Sequence, residues 1–149
     1  MTGQHFPLKR FGRHAVTMRV EDRNWFKPEE FAAELACLLD RKLLVCRVVR
    51  GVGGSEERIQ FRHDRVWDFF IAAAFSDDPD LWAEHLTDPR FRGAYLRIAE
   101  TWDPEAAKLV RDELVVKAAV HSDHTTSDEF VKRLDARRGG ANRKVNANL

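Results

Sequence analysis

Three Asp-Pro dipeptides, Asp78-Pro79, Asp88-Pro89 and Asp103-Pro104, punctuate the second half of this chain. An aspartate carboxylate accepts from the free N–H groups of a helix's first turn. A proline in that turn has no N–H to waste and a backbone angle already close to helical. Each dipeptide therefore predicts a helix start. Apolar residues follow at helical spacing: Leu81, Trp82 and Leu86, then Phe91, Tyr95, Ile98 and Trp102, then Leu109, Val110, Leu114 and Val120. A last helix is expected near Ser127, carrying Phe130, Val131 and Leu134. The starts are unevenly spaced, which excludes a strict repeat. Short loops between amphipathic helices imply an antiparallel helical array over residues 77–138. From Gly139 to Leu149 the apolar periodicity stops, and a disordered tail is expected over 139–149.

The first half mixes periods. Residues 14–20 alternate Ala15, Thr17 and Arg19 with Val16, Met18 and Val20, which predicts a short strand. Pro28, Glu29 and Glu30 suit a first helical turn, and Phe31, Leu35, Leu38 and Leu39 continue it, so a helix is placed at about 28–41. The apolar run at 43–50, a Gly-rich loop with Gly51, Gly53 and Gly54, and a second run at 58–63 predict a β-hairpin. Alternation puts His63 on the inward side with Ile59 and Phe61. Asp64 is placed as the cap of the next helix, whose stripes Val66, Phe69, Phe70, Ala73 and Trp67, Ile71, Ala74 predict burial on most sides. The expected fold is mostly α (α+β): a winged-helix-like unit over 1–76, with the hairpin as wing, followed by the helical array.

Lys and Arg number 25 against 24 Asp and Glu, a formal charge of +1. That balance gives no global attraction to nucleic acid or to an anionic membrane. No apolar run approaches the roughly 20 residues of a spanning helix, and residues 1–13 lack the apolar core of a secretory signal, so a cytoplasmic location is expected. Cys37 and Cys46 read as buried, reduced thiols.

The stretch Phe61-Arg62-His63-Asp64-Arg65-Val66-Trp67-Asp68-Phe69-Phe70-Ile71-Ala72-Ala73 resembles a signature of NACHT-type proteins, members of the STAND class of signalling NTPases. There an aromatic residue, any residue, His and a polar residue lead into a helix with paired aromatics and Ala-Ala. Gly12 to Arg23 and Leu38 to Val45 also look like parts of such domains, so the resemblance spans roughly residues 12–75. It implies a winged-helix domain that follows a nucleotide-binding core. It also implies that the histidine matching His63 approaches the nucleotide's phosphates and helps hold a closed, inactive state. In the family the core carries a Gly-Lys-Ser/Thr phosphate loop. This chain has no G-x-x-x-x-G-K-[ST] run, so it is expected to be a fragment, a truncated product or a subunit beside a separate core. ATP or ADP belongs to that core, and this chain is expected to hold no cofactor.

A histidine N–H can donate to a phosphate oxygen, which suits His63; the bland alternative is a core histidine bonded to backbone. Gly51-Val52-Gly53-Gly54-Ser55 leads to Glu56, Glu57 and a strand, not to a helix N-terminus, so it reads as a wing loop. His121-Ser122-Asp123-His124 offers no full set of metal ligands and reads as a turn. There is no G-x-S-x-G elbow and no thiol at a helix N-terminus. No catalytic residue and no metal site are expected. Arg47, Arg50, Arg58 and Arg62 are candidate contacts to nucleic acid or to a neighbouring domain. Glu29, Glu30 and Glu34 on the would-be recognition helix argue against DNA. The expectation is therefore a non-catalytic regulatory module of a STAND-type signalling or defence NTPase, prokaryotic in kind, whose partner is a nucleotide-binding core or another protein. Neither membrane nor nucleic acid is an expected partner. The alternative is a free-standing winged-helix DNA-binding regulator.

Overall fold

The computed structural model describes residues 8–147. They are mostly helical, with a single two-stranded sheet among the described residues. The chain divides into two compact units, Met1–Asp77 and Asp78–Leu149.

In the first unit, α1 (Leu8–Val20) and α2 (Ala32–Asp40) precede β1 (Leu44–Gly51) and β2 (Gly54–Phe61), and α3 (Asp64–Asp77) closes the unit. The strand expected at 14–20 is thus the end of a helix. Phe11, Ala15 and Met18 are fully buried, and Gly12, Val16 and Arg19 lie beside them. That is a spacing of three and four, visible only when the window reaches back to residue 11. The helix expected from Pro28 begins later, at Ala32. Residues 27–30 form a turn closed by the Glu30 N–H on the Lys27 carbonyl, and Phe31 takes a left-handed φ of 51°. A bulky residue there is uncommon. Its ring packs edge-on against Phe11 at 5.7 Å and beside His14 at 4.9 Å, contacts that accompany the break.

The hairpin matches expectation but is longer. β1 and β2 pair residue for residue from Leu44–Phe61 to Gly51–Gly54, leaving the two-residue turn Val52-Gly53. Gly54 follows with φ 116°, a conformation that favours glycine. Glu56 and Glu57 therefore lie in β2. A third element touches the sheet: the Phe26 N–H donates to the Ile59 carbonyl at 2.7 Å and the Ile59 N–H returns to Phe26 at 3.3 Å.

The core of this unit is aromatic. Phe11 stacks on Phe26 at 5.2 Å and meets Phe61 and Phe70 edge-on. α1 and α3 approach closely at Gly12, where a Cβ would stand 3.1 Å from Ala74 Cβ and 3.2 Å from the Phe70 carbonyl oxygen. Within α3, Phe70, Ile71, Ala74 and Phe75 are buried, but Phe69 is 52% exposed. Its placement in the core is corrected: the buried arc is centred on Ile71, and Phe69 falls outside it.

In the second unit the three Asp-Pro starts act as expected. Asp78 accepts from the N–H groups of Asp80 and Leu81 to open α4 (Pro79–Glu84). Asp88 accepts from Arg90 at a 3-10 turn, Pro89–Phe91, that leads into α5 (Arg92–Thr101). Asp103 accepts from Glu105 and Ala106 to open α6 (Pro104–His121). Then α7 (Thr125–Ala147) packs on α5 and α6 through buried Phe130 and Leu134. Its backbone is helical through residues 139–147, which corrects the expected tail there; Asn148 and Leu149 lie outside the described residues. Once a helix is nucleated, each added residue gains a hydrogen bond at little further cost, so apolar periodicity can stop before the helix does.

Phe70→Ala should therefore cost ~3–5 kcal/mol by removing a buried ring and leaving a cavity. Phe69→Ala, at an exposed position, should cost under about 1 kcal/mol. Urea unfolding of the two variants, followed by circular dichroism, checks the contrast.

Candidate interaction surface

His63 stands between β2 and α3, and the last ladder bond beyond β2 runs from the Arg62 N–H to the Leu43 carbonyl. The chain then bends, so strand alternation ends before His63, and its side chain is exposed. This corrects the inward placement. Its carbonyl accepts from the N–H groups of Val66 and Trp67, at 3.0 and 3.4 Å. His63 thus opens α3 with its backbone and leaves its imidazole outside. Asp64 is the first residue of α3 and not its cap. Arg62 and Arg65 flank the imidazole in sequence and are also exposed.

What holds this corner is buried. Trp67 Nε1 donates to the Ala15 carbonyl at 2.9 Å. Arg19 reaches from α1 to Asp68 at 2.6 Å, with both side chains almost covered, and its guanidinium lies 4.1 Å from the centre of a Trp67 ring. The start of α3 is therefore clamped to the end of α1.

The hairpin sorts the four arginines. Cross-strand partners share a face and alternate residues share a face. Arg47 faces Arg58 directly, and Arg62 follows Arg58 by four residues on that side. Arg50, paired with Ser55, lies on the opposite face. Arg58 is committed: it donates to Glu56 and its guanidinium covers a Trp25 ring at 4.5 Å. That leaves Arg47 and Arg62 on the face with exposed guanidinium groups and no ion-pair partner among the described residues. Cys37 is half-buried and Cys46 exposed, so neither is the buried thiol expected, and both are free.

Sequence reading missed a polar cluster inside the first unit. His14 Nε2 lies 3.6 Å from a Glu30 carboxylate oxygen and 3.4 Å from an Arg23 guanidinium nitrogen. Arg23 Nε and Glu30 Oε2 are buried there without a hydrogen-bond partner. Burial pushes the His14 imidazole below its ordinary value; Glu30 opposes the shift, Arg23 adds to it and Glu21 opposes it. No sequence motif marks this cluster, because it forms only when residues 21–30 fold back over α1.

The second unit holds a cleft of about 510 Å³ with Leu86, Leu114 and Ala118 in its wall and Arg92, Lys117 and His121 around it. Its carboxylates are used locally: Arg90 holds Asp88 below the usual carboxylate range, and hydrogen bonds from Thr125 do the same for Asp123. Of the His121–His124 stretch, His121 ends α6, Ser122 turns left-handed, and Asp123 and His124 lead to α7. Among the described residues no group of three or more His, Cys, Asp or Glu side chains is arranged to hold a metal ion. No described helix is long and apolar enough to cross a membrane. Comparison of the chain with protein-family models, curated proteins and solved structures gives no match.

His63→Ala should change stability by less than about 0.5 kcal/mol, as exposed substitutions do. Asp68→Ala, which takes a carboxylate away from a covered guanidinium, should cost about 3 kcal/mol in the same urea titration. The His14 shift has a definite sign. Its folded-state value lies below the unfolded one, so the unfolded chain binds the proton first. Stability should fall as pH drops from about 7 toward 5, and His14→Gln should remove that part of the fall.

Proposed function

We propose that this chain is a non-catalytic regulatory module that packs on a nucleotide-binding core of the STAND, NACHT-like class. In the cytoplasm of a prokaryotic cell it would stabilise the core's nucleotide-bound off state, in defence or signalling. The observation that supports this most is the placement of His63. A histidine kept for the core would be buried and bonded. This one is exposed at the start of a helix that α1 clamps in place, so its backbone is held while its imidazole stands at the surface. Such a donor suits a phosphate oxygen supplied by another body, and a charge-assisted hydrogen bond of that kind contributes about 1.5–3 kcal/mol. ATP or ADP would belong to the core, and any hydrolysis with it.

A second reading keeps the chain as a DNA-binding regulator. It is favoured by one observation, the shared face of Arg47, Arg58 and Arg62. Glu56 occupies the same face and ties up Arg58, which weakens that face for phosphates.

The test is ADP release from a nucleotide-binding core of this class, with and without the chain. The chain should slow release, and His63→Ala should undo the slowing by about tenfold without altering the fold. Arg50→Ala, on the other hairpin face, should leave it unchanged. Release that ignores the chain overturns the proposal. Sequence-selective duplex binding at physiological salt, abolished by Arg47→Glu, would carry the second reading instead.

A further inference from the structure

The two edges of the hairpin differ. Ile59 spends both its backbone groups on Phe26, so they point away from β1. Its cross-strand neighbour Cys46 must then turn its own N–H and C=O to the other side, away from β2. By alternation Val48 and Arg50 do the same. The stretch Cys46–Arg50 is exposed throughout. No described residue outside the hairpin supplies hydrogen bonds to these outward groups.

Proteins usually blunt such an edge with charged side chains, lysine above all, or with proline, a bulge or a covering element. β1 (Leu-Val-Cys-Arg-Val-Val-Arg-Gly) has no proline and no lysine, and its one-to-one register leaves no bulge. Val48 is 60% exposed and Val49 37%. Arg47 and Arg50 are its only charges and they flank an apolar centre, so the edge is open and regular where another strand could pair.

We propose that this strand is β1 of a second copy, paired antiparallel about a two-fold axis at Val48. The geometry selects the register. The exposed stretch Cys46–Arg50 is centred on Val48, so only that centre pairs the open edge with itself. Val48 then meets Val48 of the second copy, Arg47 meets its Val49, and Cys46 meets its Arg50. Outward-pointing groups meet outward-pointing groups at every step, and no like charges stand directly opposite. A centre one residue earlier sets Arg47 against Arg47, which is repulsive, and presses Arg50 against Leu44, which is already buried. An acidic strand from another protein could use the same edge, but the apolar centre at Val48 favours the second copy. The inference does not rest on the function proposed above.

Sedimentation velocity of the full chain, from micromolar to about 1 mM, should show a reversible monomer–dimer equilibrium. Val48→Pro removes an outward N–H and no hairpin bond, so it should leave circular dichroism unchanged and raise the dimer Kd at least about tenfold. Val48→Lys, which sets two charges on the axis, should do the same and decides the matter if the proline variant unfolds. Val116→Lys, on the exposed apolar side of α6, should have no effect. A chain that stays monomeric throughout overturns the proposal. So does a dimer that survives both Val48 variants, or one that Val116→Lys abolishes.

Discussion

The clamp between α1 and α3 is the constraint on which the first unit depends. Two helices with only one methyl group between them at one point, Gly12 against Ala74, come close enough for three polar groups to close over them. The indole of Trp67 reaches a backbone carbonyl, and Arg19 lies between that indole and Asp68. A covered ion pair is costly to form and more costly to break singly. Here it sits beside rings that exclude water and is backed by the stacked ring, so the pair fixes which face of α3 looks inward. From that choice follow the burial of Phe70 and Ile71, the exposure of Phe69, and the outward position of His63.

The parts of the fold that were legible in the sequence are those set by local chemistry. An Asp before a Pro has one good use at a helix start, and all three such pairs serve it. Glycines between apolar, β-branched runs mark a hairpin wherever they occur. The misreadings arose where tertiary contact overrode local pattern. Residues 14–20 alternate in hydropathy, yet the burial that matters repeats from Phe11 onward against α3. Pro28 can start a helix, yet Phe31 turns left-handed and its ring joins the aromatic core.

The candidate surface was legible in its membership and not in its geometry. His63 and the arginines could be named from the sequence, but strand parity broke at the bend after β2, and this put His63 outside. Arg50 parted from Arg47, Arg58 and Arg62 because cross-strand register, which no single strand reveals, decides the face. The His14, Arg23 and Glu30 cluster had no signature, since its members belong to a helix and to the irregular stretch that covers it.

Arg137 of α7 donates to the carbonyl oxygens of Ala99 and Trp102, at 2.8 and 2.9 Å. These belong to the end of α5, where carbonyls have no partner within their own helix. α7 thus completes α5 as a foreign cap. A slide of α7 by one turn would strip both oxygens at once, and only Arg133, one turn earlier and already held by Glu100 and Glu129, could replace the guanidinium. The contact therefore works as a detent: it adds little to the grip between the helices but leaves them one position in which to rest. Since Trp102 lies at that stop, its indole is the natural place to watch the two helices part.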